Sequence, residues 1–256
     1  MQKTVLDLTV KSCEMISAQY ALLKLTQENS LPEMHAGQFV EVRVDNSSTT
    51  FLRRPISINF IDRNDNTLWL LIQVIGDGTR SMSMLQIGDI VNVILPLGNG
   101  FSWPKEKSKP ILLVGGGVGT APMLYWGKLL KDKGYEPNFL LGARSKKDLL
   151  QLADFSTFGS VYTTTEDGSY GEKGYVTNHS ALNEKPWQRV YVCGPKPMMM
   201  AVAKEAKRLG VGCEVSLENN MACGVGACLC CVEDTKKGHV CVCTDGPVFD
   251  VEKLKW

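Results

Sequence analysis

Residues 111–123, "ILLVGGGVGTAPM", decide how the rest of the chain reads. The run "ILLV" has the content of a buried strand. Glycines follow, and then "APMLYWGKLLKDKG" (121–134) has helical character and stops at a glycine. A strand, a glycine turn and a helix let a backbone approach a pyrophosphate at a helix N-terminus. Gly115, Gly117, Gly119 and Thr120 are the candidate binding residues. The spacing departs from G-x-G-x-x-G, and a tightly packed turn is the plain alternative. Outward from this turn the pattern repeats. "NFLLG" (138–142), "SVYTTT" (160–165), "RVYVCG" (189–194) and "CEVSLE" (213–218) read as strands, and "PKPMMMAVAKEAKRLG" (195–210) as a second helix ending in glycine. Strands alternating with helices imply a doubly wound parallel sheet. The acidic residue expected about twenty positions on is missing. "GARSKK" stands there, so NADH and NADPH are not distinguished, and Arg144 suits a 2′-phosphate.

Before this block, "SWPKEKSKP" (102–110) reads as a linker. Upstream of it, "QFVEVRV" (38–44), "RPISINFI" (54–61), "TLWLLIQVI" (67–75) and "DIVNVIL" (89–95) are short runs rich in β-branched and aromatic residues, separated by turn formers. They predict a small barrel or sandwich. In "FLRRPISI" (51–58), Arg54 and Ser57 fall inside a predicted strand. A dinucleotide phosphate would partner that arginine; a solvated edge strand is the alternative. "QVIGDGTRS" (73–81) ends a strand in Gly76 and Gly78, and Thr79 is expected to open a helix, a second phosphate cradle.

The chain has nine cysteines. Cys13, Cys193 and Cys213 are scattered, and six crowd between Cys223 and Cys243. An odd, clustered set fits metal binding in a reducing compartment better than a disulfide framework. Cys223, Cys228 and Cys231 are spaced C-x4-C-x2-C, and Cys243 follows. That is the plant-type ferredoxin spacing for a [2Fe–2S] cluster. Gly224, Gly226 and Ala227 let the loop curl closely around it. A structural zinc is the rival, but it favours C-x2-C pairs, and only Cys228 and Cys231 offer one. Cys230 and Cys241 fall outside the pattern and are expected to be buried or to face away.

These stretches occur together, in this order, in one family. A β domain with R-x-x-S, a glycine turn and a late "CGP" resemble the ferredoxin–NAD(P)+ reductase superfamily. "MACGVGACLCC" (221–231) and "CTDGPVF" (243–249) narrow the resemblance to the electron-transfer subunits of dihydroorotate dehydrogenase B. The resemblance implies a β + α/β fold: an antiparallel FAD-binding β-barrel (1–103), a doubly wound parallel-sheet NAD domain (104–217) and a small [2Fe–2S] segment (218–256). It implies FAD held by Arg54, Pro55, Ile56, Ser57, Leu71, Ile72, Gln73, Gly78 and Thr79. It implies NAD at the loop from Gly115 and near Cys193, Gly194 and Pro195, and cluster ligation by Cys223, Cys228, Cys231 and Cys243. Ile56 replaces the aromatic residue usual in the superfamily, so flavin contact there is expected to be aliphatic. The implied partner is an FMN-containing catalytic subunit in a heterotetramer of two plus two, supporting pyrimidine biosynthesis. No catalytic acid or base is expected here.

The remaining features exclude rather than assign. A net charge of +1 gives no field favouring nucleic acid or an anionic membrane. No apolar stretch is long enough to span a bilayer, and "MQKTVLDLTVKSCEM" lacks a signal-peptide core, so a cytoplasmic location is expected. His35, His179 and His239 are expected on the surface or in turns. The Met198–Met200 run reads as core filling. "DGSYGEKGYVT" (167–177) reads as a surface loop or a neighbour of the nicotinamide site.

Overall fold

The computed structural model describes residues 2–45 and 47–256, with Glu184 described by its backbone alone. They divide into two compact units. The first holds the chain to Gly100 together with Asn219–Glu233 and His239–Pro247. The second holds Phe101–Glu218, Asp234–Gly238 and Val248–Trp256.

In the first unit six strands close an antiparallel barrel: β1 (Thr4–Ser17), β2 (Tyr20–Thr26), β3 (Phe39–Val42), β4 (Arg54–Asp62), β5 (Thr67–Gln73) and β6 (Ile90–Leu97), ordered β1-β2-β5-β4-β3-β6. The sequence reading placed four of these and missed β1 and β2. The alternation in "TVLDLTV" is the period-2 pattern of a strand, and Leu8 and Val10 point into the core. A short helix, α1 (Asp77–Ser83), begins two residues before the expected Thr79. The Thr79 hydroxyl accepts from the N–H groups of Ile75 and Gly76 and donates to the Gly76 carbonyl, which closes the turn leading into the helix.

The second unit is built on a seven-stranded sheet. Its elements in chain order are β7 (Ile111–Gly116), α2 (Ala121–Asp132), β8 (Pro137–Ala143), α3 (Leu152–Phe158), β9 (Ser160–Thr165), β10 (Glu172–Lys173), α4 (Ala181–Glu184), β11 (Arg189–Cys193), α5 (Lys196–Arg208) and β12 (Gly212–Ser216). The chain then forms β13 (Val232–Thr235), β14 (Gly238–Cys241) and a single helical turn, α6 (Val242–Asp245). It ends in β15 (Val248–Asp250), which adds antiparallel to β12. The order is β10-β9-β8-β7-β11-β12-β15. Every residue of β7 is buried, as a parallel strand covered on both faces requires. The chain runs from β7 through α2 to β8 and β9 on one side, then crosses to β11 on the other. The carboxyl ends of β7 and β11 therefore flank the topological switch point, where open α/β sheets bind ligands.

Helix α2 packs on the sheet through Gly127, whose missing side chain is occupied by the Phe139 ring. Phe139 is fully buried and edge-packed on Phe155 at 4.9 Å, so the ring has nowhere to go. Gly127→Ala is expected to lower stability by about 1–3 kcal/mol, the usual cost of overpacking. Denaturant unfolding reads it, and a variant as stable as the parent would refute this packing account.

Candidate functional site

Three groups of residues are brought together by the fold. The first is at the switch point. In β7 and β11, Gly115 pairs with Cys193, and a one-turn helix over Gly117–Thr120 leads into α2. A Cβ on Gly119 would stand 2.5 Å from the Cα and N of Gly194 and 2.6 Å from the carbonyl carbon of Cys193. Two backbones thus meet at a distance only glycine permits, and the glycine loop and Cys193-Gly194-Pro195 form one crevice. Thr120 is buried, and its hydroxyl donates to the Gly117 carbonyl at 3.0 Å, so it shapes the turn. Met198 lies against both Gly116 and Gly194. The methionine run divides: Met199 is core, Met200 is exposed and Met198 lines the crevice. Sequence reasoning missed Met198; its place three residues after Pro195 was the available signal. Val176, in the 167–177 segment, packs on Gly142, the strand partner of Gly116. Arg144 is exposed just beyond β8.

The second group is an opening in the barrel. Strand β4 pairs with β5 only from Ile58–Leu70 to Asp62–Thr67. Residues 54–57 pair with β3 on their other side, and residues 71–73 pair with β2. Between these two segments the ladder is open, so main-chain donors and acceptors facing the gap have no strand partner across it. Buried polar backbone groups need partners, and an extended ligand laid in the gap supplies them. Leu71 and Ile72 have buried side chains and offer a ligand only their backbone. Arg54 lies at one end, its Nε 2.8 Å from where a Cβ on Gly78 would be. Its Nη1 donates to the carbonyls of Leu52 and Arg53 at 3.0 and 3.3 Å. The guanidinium is thereby held over the first turn of α1.

The third group is the cysteine loop, which belongs to the same compact unit as the barrel. Gly224 and Gly226 have φ of +67° and +86°, the left-handed region that curls a loop back on itself. Cys223 Sγ accepts from the Val225 N–H at 3.5 Å. Burial opposes its thiolate, but the N–H groups of Val225, Cys228 and Ala227 and the Cys228 thiol outweigh it and bring the Cys223 thiol down to about 6. Cys231 and Cys243 are buried and form a second pair: the Cys243 N–H donates to Cys231 Sγ at 3.4 Å. Burial, and then the bond to Cys231 and its charge, push the Cys243 thiol up to about 12. The cysteines therefore come as two pairs, Cys223 with Cys228 and Cys231 with Cys243. The donor set and the aimed N–H groups fit a [2Fe–2S] cluster.

Cys230 is exposed and Cys241 half-buried, so neither is a core residue. Of surface and turn, His179 takes the turn: it is buried, its N–H donates to the Val176 carbonyl at 3.3 Å, and its Nδ1 accepts from the Ala181 N–H at 3.0 Å and lies 3.5 Å from Glu172.

The close approach at Gly119 is directly testable. Gly119→Ala is expected to weaken NADH binding at least about tenfold, roughly 1.4 kcal/mol, with the flavin spectrum intact. An unchanged dissociation constant in a titration would show that the two backbones need not meet.

Known proteins carry the same features. Residues 218–255 match the iron–sulfur cluster binding domain of dihydroorotate dehydrogenase B, and residues 113–204 match the oxidoreductase NAD-binding domain. The chain is 38% identical over 256 residues to the dihydroorotate dehydrogenase B (NAD(+)) electron transfer subunit of Shouchella clausii, covering 96% of this chain and 95% of that one. It is 41% identical over 227 residues to that of Listeria innocua, covering 87% and 88%. Among solved structures, an NADH-dependent reduced ferredoxin-NADP oxidoreductase superposes with a TM-score of 0.86 at 30% identity, covering 100% of this chain and 92% of that one. With this identity along nearly its whole length, and with the paired cysteines and open barrel in place, the chain belongs to the family of dihydroorotate dehydrogenase B electron-transfer subunits.

Proposed function

We propose that this chain carries electrons between an FMN-containing catalytic subunit, which oxidises dihydroorotate to orotate, and NAD+. The observation that carries the reading is the pairing of Cys223 with Cys228 and Cys231 with Cys243, on a loop in the same compact unit as the open β4–β5 ladder. When bound, a nicotinamide exchanges a hydride, a [2Fe–2S] cluster single electrons, and a flavin both.

The chain's own residues bind and tune. Arg54 would supply a fixed cation for a dinucleotide phosphate, the backbones of Arg54–Ser57 and Leu71–Gln73 would supply polar groups to hold FAD, and Gly78 leaves room beside Arg54. The hydroxyl of Thr79 keeps the turn closed. Gly115, Gly117, Gly119 and Cys193-Gly194-Pro195 cradle NAD. Cys223, Cys228, Cys231 and Cys243 ligate the cluster, and the N–H groups of Val225, Ala227 and Cys228 steady its negative charge. Dihydroorotate chemistry belongs to the partner, in an assembly of two plus two chains. No described helix is long and apolar enough to cross a membrane. A second reading follows from the likeness to the reduced ferredoxin-NADP oxidoreductase: the same core serving a different electron partner.

The chain alone is expected to oxidise NADH with an artificial acceptor and to leave dihydroorotate untouched. Adding the FMN subunit restores dihydroorotate-dependent NAD+ reduction. Cys228→Ser spares the first activity and abolishes the second. Dihydroorotate oxidation by the isolated chain, or full coupling in the serine variant, would sink the reading. Failure of the FMN subunit to couple favours the second one.

The ligand set is checked by iron and sulfide content after anaerobic purification. Serine at 223, 228, 231 or 243 is expected to lose the cluster, and serine at 230 or 241 to keep it. A normal cluster in Cys243→Ser with loss in Cys241→Ser would reverse the assignment.

Arg54→Ala is expected to weaken FAD binding by about 1.5–3 kcal/mol, the worth of a hydrogen bond to a charged group, or roughly ten- to over a hundredfold. Titration of the apoprotein with FAD reads it, and equal affinities would return Arg54 to a solvated edge.

A further inference from the structure

Asn99, two residues past the end of β6, ties the turn that carries Cys243 to the barrel. Helix α6 is a single turn, and the last carbonyls of a helix have no partner within it. Asn99 supplies one from outside. Its side-chain Nδ2 donates to the carbonyls of Thr244 and Asp245 at 2.9 and 3.1 Å, and its main-chain N–H donates to the Gly246 carbonyl at 2.6 Å. Three consecutive carbonyls, beginning with the residue after Cys243, thus meet one asparagine. The approach is close. A Cβ on Gly98 would stand 2.5 Å from Pro247 Cδ and 2.8 Å from the Gly246 carbonyl oxygen. Thr244 in turn lays its methyl group 2.8 Å from where a Cβ on Gly226 would be, so the turn held by Asn99 also braces the Cys223–Cys228 limb.

The barrel side of this hook is itself fixed. Gln38 is buried. Its Nε2 donates to the Gly98 carbonyl at 2.8 Å, and its Oε1 accepts from the His35 N–H at 2.6 Å. Its main-chain carbonyl accepts from the Ile58 N–H at 3.0 Å, and beyond Ile58 the β4–β5 ladder opens. Hydrogen bonds therefore run from the edge of the opening to the Cys243 turn: Ile58 to Gln38, Gln38 to Gly98, and Asn99 to residues 244–246. All of these residues lie in one compact unit. Asn99 itself is exposed, so its amide contributes hydrogen bonds rather than buried area.

We infer that Asn99 is a positioning residue for the iron–sulfur loop: with Gln38 behind it, it pins the turn bearing Cys243 to the barrel and holds the cluster at a fixed place relative to the flavin edge at Ile58. The inference rests on the cluster assignment above. A metal ligand is only as well placed as the backbone behind it, and partners one shell out orient the ligands and help to retain the metal. Groups held away from their productive separation also react more slowly, so a limb that drifts slows electron exchange even where the cluster stays bound.

The test uses the full chain purified anaerobically, with FAD, iron and sulfide assayed in every sample. Asn99→Ala removes both side-chain donors, and Asn99→Asp removes them while keeping the shape. Both variants are expected to lose iron to bathophenanthroline disulfonate, with dithionite present, at least about tenfold faster than the parent, the usual worth of a partner that orients a metal ligand. FAD content is expected to stay at the parent's value. After mixing with NADH, the flavin is expected to bleach at the parent's rate and the cluster more slowly. Iron release at the parent's rate in either variant would overturn the inference. So would cluster bleaching as fast as the parent's, or loss of FAD in step with the iron, which would mean that the barrel end and not the turn had loosened. Variants that keep FAD but are purified without iron, from a parent that holds it, support the hook. A parent protein without iron and sulfide overturns the cluster assignment instead, which separates the two failures.

Discussion

Among the approaches in this chain that are closer than a Cβ allows are three at the binding regions. Gly119 meets the backbone of Cys193 and Gly194, Gly78 meets the guanidinium of Arg54, and Gly224 meets the carboxyl of Glu41. The first sets one backbone against another, and the other two set a backbone against a charged side chain. The result is a surface of main-chain donors and a few fixed charges. Such a surface suits phosphates and sulfides, whose charge is spread over several atoms. A methyl group at any of these points would separate the two walls before a ligand arrived.

The cysteine loop shows how burial and backbone dipoles divide one chemistry between neighbours. Cys223 lies toward the exposed side with three N–H groups directed at it, and its thiol is shifted down. Cys243 is buried beside Cys231, and its thiol is shifted up. Binding metal requires every ligand as thiolate, a requirement that the surroundings of Cys223 ease and those of Cys243 oppose.

The barrel contributes through what it leaves unpaired. A closed six-stranded sheet normally satisfies its backbone in full, yet β4 and β5 separate beyond Ile58 and Leu70. Their outer residues stay attached to β3 and β2, so the gap opens without fraying the barrel. This gives an extended cofactor two rigid edges. Rigid edges hold a ligand more precisely than loops do.

Local patterns were enough to read much of this chain from its residues. "ILLVGGGVGTAPM" announced a strand, a close turn and a helix, because those depend on neighbours a few residues apart, and the C-x4-C-x2-C spacing announced the cluster for the same reason. "TVLDLTV" carried a legible alternation too, but β1, which it opens, and its partner β2 became evident only in the closed barrel. Burial was not legible. Glu41, a charged residue in a strand, is fully buried, and His179, expected on the surface or in a turn, is buried too. The open ladder between β4 and β5, the contact of Met198 with the glycine turn and the pairing of Cys231 with Cys243 were likewise decided by tertiary structure. Each joins residues that are distant in sequence, and the chain's short-range periodicity holds no record of which distant segment will cover a given face.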